Sequence, residues 1–286
     1  MSFRLEARPS GPYSLALSAR FASDPTRTFR DGVLTQALAV DGRIELARAW
    51  QTPDGTLSIQ AGSPASAERM RWLLAIDDDH SAFIDRIRGD ALLGRASLEL
   101  RGLRPVRVPT VAHALLRAFC GQLIEAKRAR RLEQTIVRAL CAEGPERLHV
   151  APTSRELGSL APSQLRALGL HARRSAALVR ICRSLDLERL HDRPTSAVVE
   201  RLNRERGLGP WSLGVVCLQG LGRYDHGLVG DLGLIKLLRA MRGRLVEGWE
   251  TAELLEPYGE WAGLASVYLL AAYARGLLTF GSAAAA

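Results

Sequence analysis

The sequence predicts an α+β protein: an N-terminal antiparallel sheet module with helices, followed by an all-α domain. Three observations predict it. Residues 12–60 carry period-two alternation broken by turn residues. Beyond residue 105 or so the apolar spacing is helical throughout. The chain has 286 residues, 47% of them apolar, enough for one large or two ordinary domains with real cores. The boundary is placed near residue 105, dividing 1–105 from 106–286.

In YSLALSARF, Tyr13, Leu15, Leu17, Ala19 and Phe21 alternate with smaller or polar residues, the pattern of a first strand. RTFRDGVLTQALAV and GRIELARAW follow, joined by a hairpin turn at Asp41 and Gly42, and TLSIQA is a fourth candidate. SPASAERMRWLLAI offers a Ser cap, an early Pro and helical spacing at Met70, Leu73 and Leu74. A further helix is expected after DDDHS. Asp77, Asp78 and Asp79 resemble a metal cluster only in composition, because carboxylates at a helix start suit its dipole. RGLRPVRVPT leads into the helical part. There VAHALLRAFCGQLIEAKRARRLEQTIVRAL reads as one or two helices, and SQLRALGL, ARRSAALVRICRSL, TSAVVERLNRER, PWSLGVVCLQGL, DLGLIKLLRAM and WAGLASVYLLAAYARG as further ones.

Composition narrows the class of function. No apolar run reaches the length of about 18 residues that suggests a membrane span. MSFRLEARPSGPYS has no apolar stretch of signal-peptide type. A cytoplasmic protein is expected, and GSAAAA at the other end reads as a frayed tail. Cys120, Cys141, Cys182 and Cys217 lie far apart in apolar contexts, as small buried hydrophobes do, without metal-ligand spacing. The net charge is +9, distributed as +1 over residues 1–105 and +8 over 106–286. Such a basic half suits a polyanion, nucleic acid foremost, although 37 of the 39 cations are Arg and a plain basic surface is equally compatible.

GLGPWS, residues 207–212, separates two helical runs. Thr195 or Ser196 can cap the first. Gly207 ends it where a left-handed residue is needed, Leu208 plugs the turn into the core, and Gly209 permits close approach. Pro210 starts the second helix where its missing N–H costs nothing. Free amides at that start favour an anion such as a DNA phosphate, although a plain helical corner has the same residues. Twenty-four residues beyond Gly207, Asp231 opens the next helix, by local pattern as an N-cap.

The run 207–236 resembles the helix–hairpin–helix DNA glycosylase superfamily, which carries L-x-G-[IV]-G-x-x-[TS]-A, then about two dozen residues, then a helix-opening Asp. The best match is the bacterial 3-methyladenine DNA glycosylase II branch. GLRPVRVPT with its FCGQLI helix, EPYGEWAGLASVYLL and the N-terminal sheet module resemble that branch too, so the likeness spans nearly the whole chain. It implies a helix–hairpin–helix glycosylase domain over 106–286. Its substrate would be duplex DNA containing alkylated bases of the 3-methyladenine and 7-methylguanine type, excised in base excision repair by a monomer in the bacterial nucleoid.

The resemblance also implies roles. Asp231 is the catalytic carboxylate, stabilising the oxocarbenium-like sugar and orienting water. DNA contacts fall to Gly207, Leu208, Gly209, Trp211 and Ser212 of the hairpin and to Gln122 and Leu123, with Leu123 as the wedge filling the gap left by an extruded base. The family often has Ser where Glu125 stands. Trp211 occupies the position where lyase members carry a Schiff-base Lys, and the two lysines, Lys127 and Lys236, match no such position. Hydrolysis without lyase activity is therefore expected, with Trp211 also stacking on a cationic base. Leu232, Tyr258 and Trp261 are further base-pocket candidates, and Trp249 and Tyr268 belong to the same set. Leu232 stands where the branch usually has an aromatic. His226, five residues before Asp231, reads as a solvated loop residue. No cofactor or metal is required, although the superfamily's hairpin can hold a monovalent cation on its carbonyls. Two rival readings remain: the same fold acting on uracil, hypoxanthine or another lesion, and a non-catalytic DNA-binding or damage-sensing protein.

Overall fold

The computed structural model describes residues 2–278; the terminal GSAAAA lies outside them. Strands β1 (Phe3–Ala7), β2 (Arg27–Arg30), β3 (Val33–Val40), β4 (Arg43–Gln51) and β5 (Leu57–Ala61) form one antiparallel sheet, ordered β1-β5-β4-β3-β2. Asp41 and Gly42 take φ of 48° and 74° and set Val40 opposite Arg43. Asp31 and Gly32 repeat this device, setting Arg30 opposite Val33. Two-residue hairpin turns of this kind need positive φ at both positions, which Asp-Gly tolerates.

The first expected strand is a correction. Leu15–Ala19 is a short helix, α1, capped by Ser14, whose hydroxyl accepts from the Leu17 N–H. Leu15 and Ala19 are its buried pair. They stand four apart, a spacing common to helix and alternating strand, so a five-residue window could not separate the two. The sheet instead has β1 at one edge, a strand that precedes the segment 12–60 in which strands were expected.

Helix α2 (Pro64–Leu73) begins as expected, with a capping box at Ser63 and Pro64 in its first turn. Its Ala67, Met70 and Leu73 close a core against Leu34, Leu38, Ala47, Ala49, Leu57 and Ile59 of the sheet. Helices α3 (Ser81–Ile87) and α4 (Gly94–Glu99) instead pack away from the sheet. Phe83, Ile87, Leu93 and Leu100 share a core with Leu234, Leu264, Tyr268 and Leu269. The last strand among the described residues ends at Ala61, and α3 and α4, which precede residue 105, already share a core with helices that follow it.

The remaining helices are α5 (Val111–Gly121), α6 (Ala126–Leu140), α7 (Ser154–Ser159), α8 (Pro162–Ala167), α9 (Ala172–Ser184), α10 (Thr195–Asn203), α11 (Pro210–Val215), α12 (Leu232–Arg242), α13 (Thr251–Leu255) and α14 (Ala262–Ala274). Nearly all of α5 is buried, and it carries the apolar stem that ends at the candidate site. A charged seam ties it to the sheet module. Arg117 donates to Glu133 and to Asp24, Arg27 pairs with Asp24 at 3.1 Å, and His113 Nε2 meets Glu133 at 2.8 Å. Burial alone would raise the Glu133 carboxyl, but Arg117 and His113 hold it well below the usual carboxylate range. Asp24, His113 and Glu133 have metal-site spacing, with ligand atoms within 4.8 Å of one another. The two guanidiniums already balance those carboxylates. All four cysteines are buried and unpaired. No helix among the described residues is long and apolar enough to cross a membrane.

Candidate active site and DNA interface

Three chain segments meet at the hairpin. Helix α10 ends at Asn203, and Gly207 turns the chain with φ of 99°, packed on Phe119 and Ala177. The expected Thr195 or Ser196 cap is a correction. Pro194 holds the cap position, Thr195 is already helical, and no side chain caps this start. Leu208 is buried in the helical core, so the turn is anchored by its side chain while Gly207, Gly209 and Pro210 stay exposed. A Cβ built at Gly209 would meet nothing within 4 Å, leaving open space outside the turn. Pro210 begins α11, whose first-turn amides have no intrahelical acceptor and carry the positive end of the dipole.

The end of α5 is stapled to this turn. Gln122 Nε2 donates to the Gly207 carbonyl at 2.8 Å and to Ser212 Oγ at 3.0 Å. Ser212 itself is buried. The side chains of Gln122 and Ser212 therefore bind each other, and Gln122 ties the end of α5 to the hairpin. Leu123, the next residue, is the opposite. It is 86% exposed at φ 54°, a region a leucine rarely occupies. An apolar side chain is thus held in water by an unfavourable backbone, next to the residue that binds the hairpin turn.

Asp231 caps α12, as its local pattern predicted. One oxygen accepts from the Gly233 N–H at 2.7 Å and the Leu234 N–H at 3.4 Å. The other accepts the Trp211 indole N–H at 2.8 Å. Trp211 is half-buried, and its ring lies so close to Gly121 that a Cβ there would sit 2.5 Å from it. The α5 end, the hairpin and the carboxylate are thus linked through Gln122, Trp211 and Gly121. Sequence reasoning missed Gly121. A glycine inside an apolar helix was the available signal.

The other candidates disperse. Leu232 is 42% exposed beside Asp231. Tyr258 is buried, its hydroxyl donating to Asp90 at 3.3 Å, so as a pocket wall it is corrected to core. Tyr268 is likewise core, bonded to the Leu100 carbonyl. Trp261 stacks near Tyr224 at 6.2 Å and meets His80 edge-on, at the meeting of α3 and α14. His226 is half-buried, not solvated, and desolvation lowers its pKa. The acidic run is divided. Asp77 pairs with Arg71, Asp78 with Arg107 and Tyr224, and Asp79 caps the Ser81 N–H.

A second feature went unread in the sequence. Lys127, Arg128, Arg130 and Arg131 are exposed at the start of α6, just after Leu123, with no acidic residue in the first turn and no ion pair among the described residues. Cations at a helix N-terminus oppose its dipole, and the Glu125 carboxylate at the N-cap position is the one acidic group beside them in the chain.

No protein-family model matches the chain. It is 26% identical over 205 residues to the DNA-3-methyladenine glycosylase of Bacillus subtilis (strain 168), covering 68% of this chain and 67% of that protein. The 3-methyladenine DNA-glycosylase from Archaeoglobus fulgidus has a similar structure, with TM-score 0.82 at 20% identity across 94% of this chain and 97% of that one. The Clostridium acetobutylicum 8-oxoguanine glycosylase/lyase, solved with double-stranded DNA containing cytosine opposite 8-oxoG, gives 0.77 at 15% identity across 96% and 98%. At these identities the structural likeness speaks for the fold.

Proposed function

From the premise that this chain is a DNA glycosylase of the helix–hairpin–helix superfamily, we propose that it is a monofunctional hydrolase of alkylated bases in duplex DNA. The observation that carries the reading is the Asp231 carboxylate, fixed by the Trp211 indole of the hairpin and by two α12 amides. In this reading the hairpin amides and the α6 cations hold phosphates, and Leu123 fills the gap left by the extruded base. Asp231 offsets positive charge on the sugar as the glycosidic bond breaks, and orients the water that completes hydrolysis. A 3- or 7-alkylated purine already carries positive charge and leaves without a strong acid. One carboxylate then suffices.

The absence of lyase activity rests on chemistry at Trp211. A lyase forms a Schiff base through an amine. Here an indole N–H points at the acid, Lys236 is exposed on the outer run of α12, and Lys127 is exposed on α6. The same reading makes the protein a monomer acting on the bacterial nucleoid, without cofactor.

The test is Asp231→Asn on randomly methylated duplex DNA. Asparagine caps a helix about as well as aspartate, so the fold is retained. Base release is expected to fall about 10²- to 10³-fold, the loss of about 2.7–4 kcal/mol of charge stabilisation. Full activity in that variant refutes the mechanism. Parallel duplexes with hypoxanthine, uracil or 8-oxoguanine separate the alkylated-base reading from its alternatives, and strand cleavage at the product site would refute the monofunctional assignment.

A further inference from the structure

Glycine weakens a helix relative to alanine, because its backbone has the most freedom to lose. Gly121 nevertheless closes α5, and it does so without the positive φ for which a turn selects glycine. The contact it makes is what excludes a side chain. A Cβ at this position would lie 2.5 Å from Trp211 Cη2, 3.3 Å from Cζ3 and 3.4 Å from Cζ2. The outer edge of the indole thus rests on the bare backbone of α5.

Neither helix has room to withdraw from that contact. Nearly every residue from Val111 to Cys120 is buried. Where α5 begins, Gly220 from the continuation of α11 lies so close that a Cβ on it would meet the Ala114 Cβ at 2.8 Å. The other flank of α11 is as tight, since a Cβ on Gly214 would sit 2.5 Å from the Gly227 carbonyl oxygen. Gln122 holds the first turn of α11 through Ser212 Oγ at 3.0 Å. Close-packed backbones yield less readily than a side-chain tip, so the part of this contact free to move is the indole.

The other edge of the same ring faces the acid. Trp211 Nε1 donates to one Asp231 oxygen at 2.8 Å, while the Gly233 and Leu234 amides hold the other. The Asp231 backbone is fixed separately, from behind. The Gly230 N–H donates to Thr251 Oγ1 at 2.7 Å, the Thr251 hydroxyl donates to the Gly248 carbonyl at 2.6 Å, and the neighbouring Glu250 is buried against Arg242 and Arg244. With the backbone and one oxygen held, the indole N–H sets the direction of the second oxygen. Cη2 and Nε1 belong to one rigid plane, so a push on the first displaces the second.

We propose that Gly121 is a positioning residue: by carrying no side chain, it lets the end of α5 seat the Trp211 ring so that the indole N–H aims the Asp231 carboxylate. Its consequence for catalysis rests on the glycosylase reading above. The helix end that ties the hairpin through Gln122 and presents the exposed Leu123 thereby also sets the acid.

The experiment introduces Gly121→Ala into wild type and into Trp211→Phe. It measures single-turnover base release from methylated duplex DNA, affinity for a duplex containing an abasic-site analogue, and the indole N–H resonance of Trp211, identified by its loss in Trp211→Phe. In wild type, Gly121→Ala is expected to slow base release about tenfold, the loss of one hydrogen bond to a charged group. The Trp211 resonance should move upfield as that bond breaks. Affinity for the abasic duplex should stay within about twofold, because the hairpin keeps its place. The phenyl ring of Trp211→Phe reaches less far toward α5, so adding Gly121→Ala there should change the rate by no more than about twofold. Full activity, an unmoved resonance, or an equal loss in the Trp211→Phe background would each overturn the proposal. So would a loss carried by weaker abasic-duplex binding, or a Gly121→Ala chain that fails to fold on thermal melting, since the backbone and not the indole would then have given way. Absence of base release by wild type from every duplex would instead remove the glycosylase reading, and the resonance would still decide whether Gly121 seats the indole.

Discussion

Trp211→Phe tests whether the indole acts on catalysis through Asp231. The substitution keeps an aromatic ring against Gly121 and deletes the N–H that reaches the carboxylate at 2.8 Å. A hydrogen bond to a charged group contributes about 1.5–3 kcal/mol. Both partners here are half-buried, so the lower end applies, and the expected loss is about tenfold in rate. Asp231 keeps the Gly233 and Leu234 amides, so it stays at the helix start but loses one of its fixed directions. The assay is single-turnover release of methylated bases, in the wild-type and the Asp231→Asn backgrounds, read as a double-mutant cycle. If Trp211 works through the carboxylate, Trp211→Phe costs little once Asp231 is asparagine. An equal loss in both backgrounds would refute the coupling and make Trp211 a packing residue. No loss in either would remove it from the mechanism.

Leu123→Gly separates the wedge from the fold. Leu123 buries almost nothing and sits at φ 54°, so glycine is expected to leave thermal stability unchanged or raise it by up to about 1 kcal/mol. Base release from paired duplex should fall and recover when the lesion is left unpaired, and undiminished release from the paired substrate would exclude the wedge. Stability is expected to decline with acid from about pH 6.5. Burial first, then Arg104 and Arg107, lowers the His80 pKa to about 3, and neither of its ring nitrogens has a partner. The unfolded chain therefore binds a proton that the native state refuses between pH 6.5 and 3. Stability is full above 6.5 and falls as pH drops, by up to 1.36 kcal/mol per pH unit for each such group. His191 and His226 shift in the same direction through desolvation, and below about 4.5 the depressed Glu133 carboxyl steepens the loss. Urea denaturation from pH 7.5 to 4 measures it. His80→Phe should reduce the slope, and a flat wild-type profile would contradict the burial of a neutral imidazole.

What the sequence made legible was whatever short-range chemistry dictates. Asp41 and Gly42 specify a hairpin turn, Ser63 and Pro64 specify a helix start, and Gly207 specifies a positive φ, because in each case the residue's own backbone or side chain sets the conformation. The spacing from Gly207 to Asp231 took its meaning from the resemblance to the glycosylase superfamily, since each residue alone reads as an ordinary helix boundary. α1 was misread because five residues hold too few turns to separate two periods. The pairing that makes the site is of another kind. Nothing local in FCGQL says that Gly121 must clear space for Trp211, or that Gln122 will spend its amide on Gly207 and Ser212. Those assignments depend on how the end of α5 meets the hairpin, a contact between residues about ninety positions apart. Exposure was the least legible quantity. Tyr258 and Trp249 are aromatics nine positions apart. Yet Tyr258 turns its hydroxyl inward to Asp90, while Trp249 is lifted into water because Glu250, not the tryptophan, is the residue its loop buries. Burying the carboxylate with two arginines leaves the indole no place in the core. The same ion pairs that stabilise the loop therefore decide which of the two aromatics is left exposed.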